Sequence, residues 1–284
     1  MTKTLKTLAI AYGAAKEKYG DRYPSVKWPK NYTIAQLIGI WVLKQMLNNI
    51  DYRDLEDVLN SWWEVRELLE IKRVLDFSNL NRGIRKIEEI DIEETSDYIV
   101  EVCDEEVSWI VADDTTGMKM WNCSSYFGER SWRKQTSFGK LGISVDVNSK
   151  FIYGMITGFG PSSDIPYGNQ LNKKTEGKVW IRLKDKWFDG WDNVRDITDV
   201  ICRWGNIVAI DRYERDCEVW LMKEIGVFGY RWMVETVYSV IKRKFWETVR
   251  ETTEHGKRLT MLFKWLLITL DLLGTNFNRN RAKC

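Results

Sequence analysis

Histidine is almost missing from this chain. His255 is the single one in 284 residues, which excludes a histidine-built zinc site and a Ser-His-Asp triad. Five cysteines, at 103, 123, 202, 217 and 284, have no paired metal-ligand spacing, and their odd number argues against a disulfide framework. Reduced thiols in a cytosolic protein are expected. No apolar run reaches membrane-spanning length, because 262–273 is broken by Lys264 and Asp271. The first residues do not read as a signal peptide, so a soluble, intracellular protein with no membrane partner is expected. Excess charge is missing too: Lys+Arg 43 against Asp+Glu 41 gives a formal +2, which selects no partner by itself. Chemistry based on oxygen ligands remains open.

The distribution of charge says more than its sum. Residues 88–106 hold ten acidic and no basic side chains, whereas 229–284 hold eleven basic and five acidic ones. That polarity predicts an acidic connector ahead of a core, and a basic C-terminal surface able to face a polyanion. The chain ahead of the connector reads as helical, with apolar residues at three- and four-residue spacing. Thr33 is the expected N-cap of a helix over 34–47, Ser61 of one over 62–71, and Ser78 of one reaching 87.

From Val107 the pattern becomes that of strands. Residues 107–113 and 118–123 flank Thr115-Thr116-Gly117, and 141–147 and 151–157 flank Asn148-Ser149-Lys150, so two hairpins are predicted. A strand over 206–210 and helices over 214–225 and from Arg231 onward follow. Residues 168–204, with Trp180, Trp187, Trp191 and Trp204 among many charges, read as an inserted hairpin and helix whose tryptophans serve packing. Asp113 and Asp114 fall on opposite faces of their strand, and alternation alone does not choose between them. Asp146 and Asp164 read as turn or surface residues.

The last predicted helix carries the sharpest signal. At about 100° per residue, Arg231, Glu235, Tyr238 and Lys242 lie within roughly 60° of one another, beside an apolar face of Val234, Val237, Ile241 and Phe245. Such a stripe can be a plain solvated face with an Arg231–Glu235 ion pair. Its spacing is Phe228, two residues, Arg231, three residues, Glu235, six residues, Lys242. This resembles the Tyr-(2)-Arg-(3)-Glu-(6)-Lys signature of insertion-sequence DDE transposases, with Phe228 in the tyrosine's place. Val111-Ala112-Asp113-Asp114-Thr115-Thr116-Gly117 is similar to that family's first-aspartate motif, and Ile207-Val208-Ala209-Ile210-Asp211 to its second. The three motifs come in the family's order, and the resemblance covers most of the chain.

The resemblance implies an α/β fold: a ribonuclease H-like mixed sheet flanked by helices over 107–284, with 168–204 inserted. A small all-helical domain over 1–92, for DNA binding or dimerisation, would precede it. It selects Asp114 over Asp113 and implies Asp114, Asp211 and Glu235 as catalytic ligands of two Mg²⁺ or Mn²⁺ ions. Arg231 and Lys242, with Lys140 as a weaker candidate, would contact DNA. The implied activity is cleavage at transposon ends and transfer of the 3′-hydroxyl into target DNA, by a homodimer acting on terminal inverted repeats at the nucleoid. Two departures stand out: Asp211 and Glu235 are only 24 positions apart, and Glu214 stands where the family has a tyrosine. They leave open an internally deleted, inactive transposase that only binds DNA. A general ribonuclease H-like nuclease would account for the carboxylates but not for the Arg-Glu-Lys spacing.

Overall fold

The computed structural model describes residues 2–24, 31–103, 108–120, 138–160, 162–188, 199–201, 213–245 and 248–281. The chain forms two compact units: Met1–Cys103 together with Thr253–Cys284, and Asp104–Thr252. The last helix thus belongs with the first hundred residues and not with the unit expected to run from 107 to 284.

The first unit is built from α1 (Lys3–Tyr19), α2 (Ile34–Met46), α3 (Tyr52–Ser61), α4 (Trp63–Leu68), α5 (Phe77–Ile84), α6 (Glu89–Cys103) and the C-terminal helix Glu254–Arg281. Helix α2 is apolar on every side and therefore buried, and its Trp41 stacks on Phe263 at 4.9 Å. Thr33 caps it as the sequence predicts: its Oγ1 accepts the Gln36 N–H at 3.2 Å, and Gln36 Oε1 accepts the Thr33 N–H at 2.9 Å. The other two predicted caps differ. Ser61 ends α3, donating its hydroxyl back to the Asp57 carbonyl at 2.8 Å. Asp76, not Ser78, caps α5, because its carboxylate takes the N–H groups of Ser78 and Asn79 together. Among the described residues no helix is long and apolar enough to cross a membrane.

The second unit is α/β, with a mixed open sheet flanked by helices. Its strands are β1 (Ile110–Met120), β2 (Phe138–Asp146), β3 (Ile152–Phe159), β4 (Ile181–Lys184), β5 (Asp199–Ile201) and β6 (Thr248–Val249). The order is β3-β2-β1-β4-β5, with β2 antiparallel to β1 and β3, and with β4 and β5 parallel to β1. Strand β6 pairs parallel with the far end of β1. Helices α7 (Ile165–Lys174), α8 (Tyr213–Glu224) and α9 (Trp232–Lys244) complete the unit. Helix α7 packs on β1–β3, and α9 packs on β1 and β2.

The β2–β3 hairpin matches its prediction, and Asp146 is its turn residue, accepting the N–H groups of Asn148 and Ser149 at 2.9 and 2.8 Å. The first predicted hairpin is instead one unbroken strand. Thr115, Thr116 and Gly117 all pair with β2, and two β-branched residues ahead of a single glycine suit an extended ladder as well as a turn. Residues 168–204 are not an insertion beside the sheet, since they supply β4 and β5. Trp180 is 67% exposed and stacks on Trp109 at 5.5 Å, so it does not pack a core. Trp191 and Trp204 lie outside the described residues. Gly158 lets α7 sit close, because a Cβ there would meet the Tyr167 hydroxyl at 1.9 Å.

Candidate active site

Among the described residues, β1 has an unpaired stretch on its β4 side, here called the notch. The β1–β4 ladder ends at the Asp113–Lys184 pair, whereas β6 joins only at Lys119 and Met120. A 3-10 turn, Val227–Arg231, packs against both β1 and β4 and leads directly into α9. Gly226, at φ +76°, makes the left-handed bend between α8 and this turn. Three elements thus bring their side chains to one place: mid-β1, the end of β4 and the start of α9.

Asp114 stands in the notch, in mid-strand and not at the strand end that the motif suggested. Burial raises its pKa from 3.8 to about 6; the Thr115 N–H and Arg231 pull it back, while Asp185 and Asp164 push it up further. Asp185 follows β4 immediately, and its carboxylate lies 3.7 Å from Nη1 of Arg231. The Arg231 Nη2 atom is 3.5 Å from Glu235 Oε1, the i,i+4 pair predicted from sequence. Glu235 is exposed, so this pair contributes little to stability. One guanidinium therefore links Asp185 and Glu235 and faces the field of Asp114.

The rest of the stripe reaches β1. The Tyr238 hydroxyl donates to the carbonyls of Asp114 at 2.5 Å and Leu141 at 3.0 Å. Its pKa is far above the usual value, chiefly through burial and then through Asp114, so it stays a donor. Lys242 Nζ donates to Thr116 Oγ1 at 2.7 Å, which holds its ammonium beside the strand two residues beyond Asp114.

Not every predicted residue joins them. Lys140 lies on the opposite, α7 face of the sheet, ion-paired with Asp164 and 4.9 Å from the centre of the Tyr167 ring. Its register explains this: Lys140 pairs with Gly117, so it shares a face with Thr115 and Asp113 and not with Asp114. Asp164 is fixed there as well, accepting from Thr115 Oγ1 at 2.5 Å. Asp211 and the strand predicted ahead of it lie outside the described residues. Phe228, in the tyrosine position of the signature, has the Lys223 ammonium 5.5 Å from its ring centre.

Asp185 is the residue that sequence reasoning missed. Its signal was an aspartate ending Ile181-Arg182-Leu183-Lys184, whose alternation was masked by two charges that the fold buries. Among the described residues no three acidic, histidine or cysteine side chains group closely enough to hold a metal ion. The donors in the notch are carboxylate oxygens, the type that suits a hard divalent cation. No family model matches the chain, and no curated protein matches it.

Proposed function

We propose that the chain is a DNA transposase, or a direct descendant of one, whose second unit is a ribonuclease H-like phosphoryl-transfer domain. The mixed open sheet flanked by helices is compatible with that fold. The observation that carries the reading is the meeting of Asp114, Asp185, Arg231 and Glu235 in one notch, with Lys242 held alongside. A plain solvated helix face gives no reason for its arginine to reach a carboxylate at the end of a parallel strand.

Asp114 fits a cation-binding role, since it is a desolvated carboxyl with a second carboxylate nearby, and it would ionise more readily against a divalent ion. Asp114 and Asp185 would offer two carboxylates to the ion, Asp211 remains the proposed ligand from outside the described residues, and Glu235 would have to leave its Arg231 pair to join them. Bound Mg²⁺ or Mn²⁺, in a pair, would neutralise charge on the attacking and leaving oxygens of an in-line displacement at phosphorus. Arg231 and Lys242 would hold DNA phosphates on the same stripe, as cations that orient a strand across the notch. Tyr238 keeps the Asp114 backbone in place from beneath.

Alanine at Asp114, Asp185 or Glu235 is expected to abolish Mg²⁺- or Mn²⁺-dependent cleavage of a duplex carrying the element's terminal repeat. Salt-dependent binding to the same duplex should survive. Full cleavage by any one variant would remove that residue from the site. Alanine at Asp211, in the same series, decides whether it acts alongside Asp185.

A second reading, a transposase descendant that binds DNA without cutting it, is favoured by one contact. Arg231 already neutralises Asp185 and Glu235 together. That reading predicts binding at terminal repeats with no divalent-dependent nicking by the wild-type chain.

A further inference from the structure

We propose that Asp113 and Lys184 are positioning residues, whose buried ion pair on the α7 face of the sheet sets the β1–β4 offset that brings Asp114 and Asp185 together. The proposal rests on Asp114 and Asp185 being working carboxylates of the site. Asp113 and Lys184 are opposite one another in the parallel register, and Asp114 and Asp185 are the residues that follow each of them. Whatever holds the first pair in step therefore holds the second.

The contacts are extensive and almost solvent-free. Lys184 Nζ lies 2.5 Å from Asp199 Oδ2 and 3.8 Å from Asp113 Oδ2, and donates to Asn172 Oδ1 at 2.6 Å. Asp113 and Lys184 are fully buried, and Asp199 nearly so. The Ser144 hydroxyl on β2 donates to Asp113 Oδ1. Arg182, also buried, lies 3.5 Å from Asp199 Oδ1 and donates from Nε to Thr175 Oγ1 at 3.2 Å. Strands β2, β1, β4 and β5 and helix α7 are thus tied through one ammonium. Among the described residues no donor hydrogen-bonds Asp113 Oδ2, so the Lys184 charge is its compensation.

Such a network specifies register better than packing does here. Strand β4 has four residues, and only Ile181 and Leu183 are apolar, so hydrophobic packing supplies few contacts to hold its offset. A one-residue slip would withdraw the ammonium from between two buried carboxylates and leave them uncompensated. That alternative is strongly disfavoured, whereas the observed offset sets the Lys184 ammonium between both carboxylates, with Arg182 beside Asp199. The order carries over to the other face, where the Asp114–Asp185 approach would otherwise depend on a short strand and the loop after it.

The test reads the juxtaposition directly, independently of any DNA chemistry. In the full chain, Asp114 and Asp185 are both replaced by cysteine, and Cd²⁺ binding is followed by thiolate-to-metal absorbance, with the unsubstituted chain as the blank for native thiols. The pair is expected to bind Cd²⁺ above that blank. Adding Asp113→Asn, which is isosteric and leaves Lys184 its Asp199 partner, should weaken Cd²⁺ binding by at least about tenfold, as loss of supporting contacts around metal ligands does. Ser144→Ala, which removes only the hydroxyl on Asp113, is the second variant and should weaken binding in the same direction by a smaller factor. Melting curves keep each measurement well below unfolding. Unchanged Cd²⁺ affinity in a folded variant, even with a lowered Tm, would make the network merely structural and overturn the proposal, as would a cysteine pair no better than the blank. Loss of the transposase reading would show instead in the cleavage assays, with the Cd²⁺ result intact.

Discussion

Asp114 is held in a state that the fold disfavours. Its folded pKa, about 6, lies above the ordinary 3.8, so the stability tied to its protonated form is complete below about pH 4 and is lost as the pH rises through 6. Asp114→Asn, which cannot ionise, is therefore expected to be more stable than wild type by about 1–3 kcal/mol at pH 7.5 and equal to it near pH 4. Urea unfolding at the two pH values measures this; a variant less stable at pH 7.5 would contradict the desolvation account. A carboxylate desolvated in this way is a candidate functional position. At this scale the sequence was informative where a spacing motif named a residue: Asp114, Arg231, Glu235 and Lys242 all lie where one helix face meets β1. It was uninformative for Asp185, which belongs to no motif and is close to Asp114 only through strand pairing. Lys140 shows the converse error, since proximity in sequence to a strand start did not reveal which face of the sheet it would take.

At the scale of elements, the helix assignments followed from periodicity and capping, and α2 with its Thr33–Gln36 box is the clearest case. Caps were less legible where two candidates stood close, as with Asp76 and Ser78, because one charged oxygen, Asp76 Oδ1, takes both adjacent N–H groups. The largest miss was β1. Gly117 suggested a turn, but its neighbours' pairing with β2 decided the matter, and such pairing is non-local and absent from any short window. Likewise β4 and β5 were hidden by buried charges, which alternation analysis reads as a solvated surface. The packing of α7 on the sheet gives a sharp prediction. Gly158→Ala would drive a methyl into the Tyr167 hydroxyl, and the ring cannot swing away freely because it is buried under Lys140. A loss of about 1–3 kcal/mol is expected from chemical denaturation, as for other overpacked sites, and a loss of under a few tenths would show that α7 can shift.

At the scale of the whole molecule, the two units have different chemical character. The first is helical and gathers the chain's two ends, and the second holds the sheet and every residue of the notch that the structure describes. Most of the acidic run over 88–106 is the first unit's α6, with 104–106 outside the described residues, and the basic stretch from 229 onward divides between the units, with Arg231 and Lys242 in the second. The polarity read from sequence is therefore spread over separate elements of the two units. The central claim is that the notch performs divalent-dependent phosphoryl transfer on DNA. It is tested most directly by incubating the full chain with Mn²⁺ or Mg²⁺ and a duplex carrying the element's own terminal repeat, with Glu235→Ala in parallel. Cleavage at the repeat end is expected from the wild-type chain and none from the variant. Binding without cleavage by either protein, or equal cleavage by both, would contradict it.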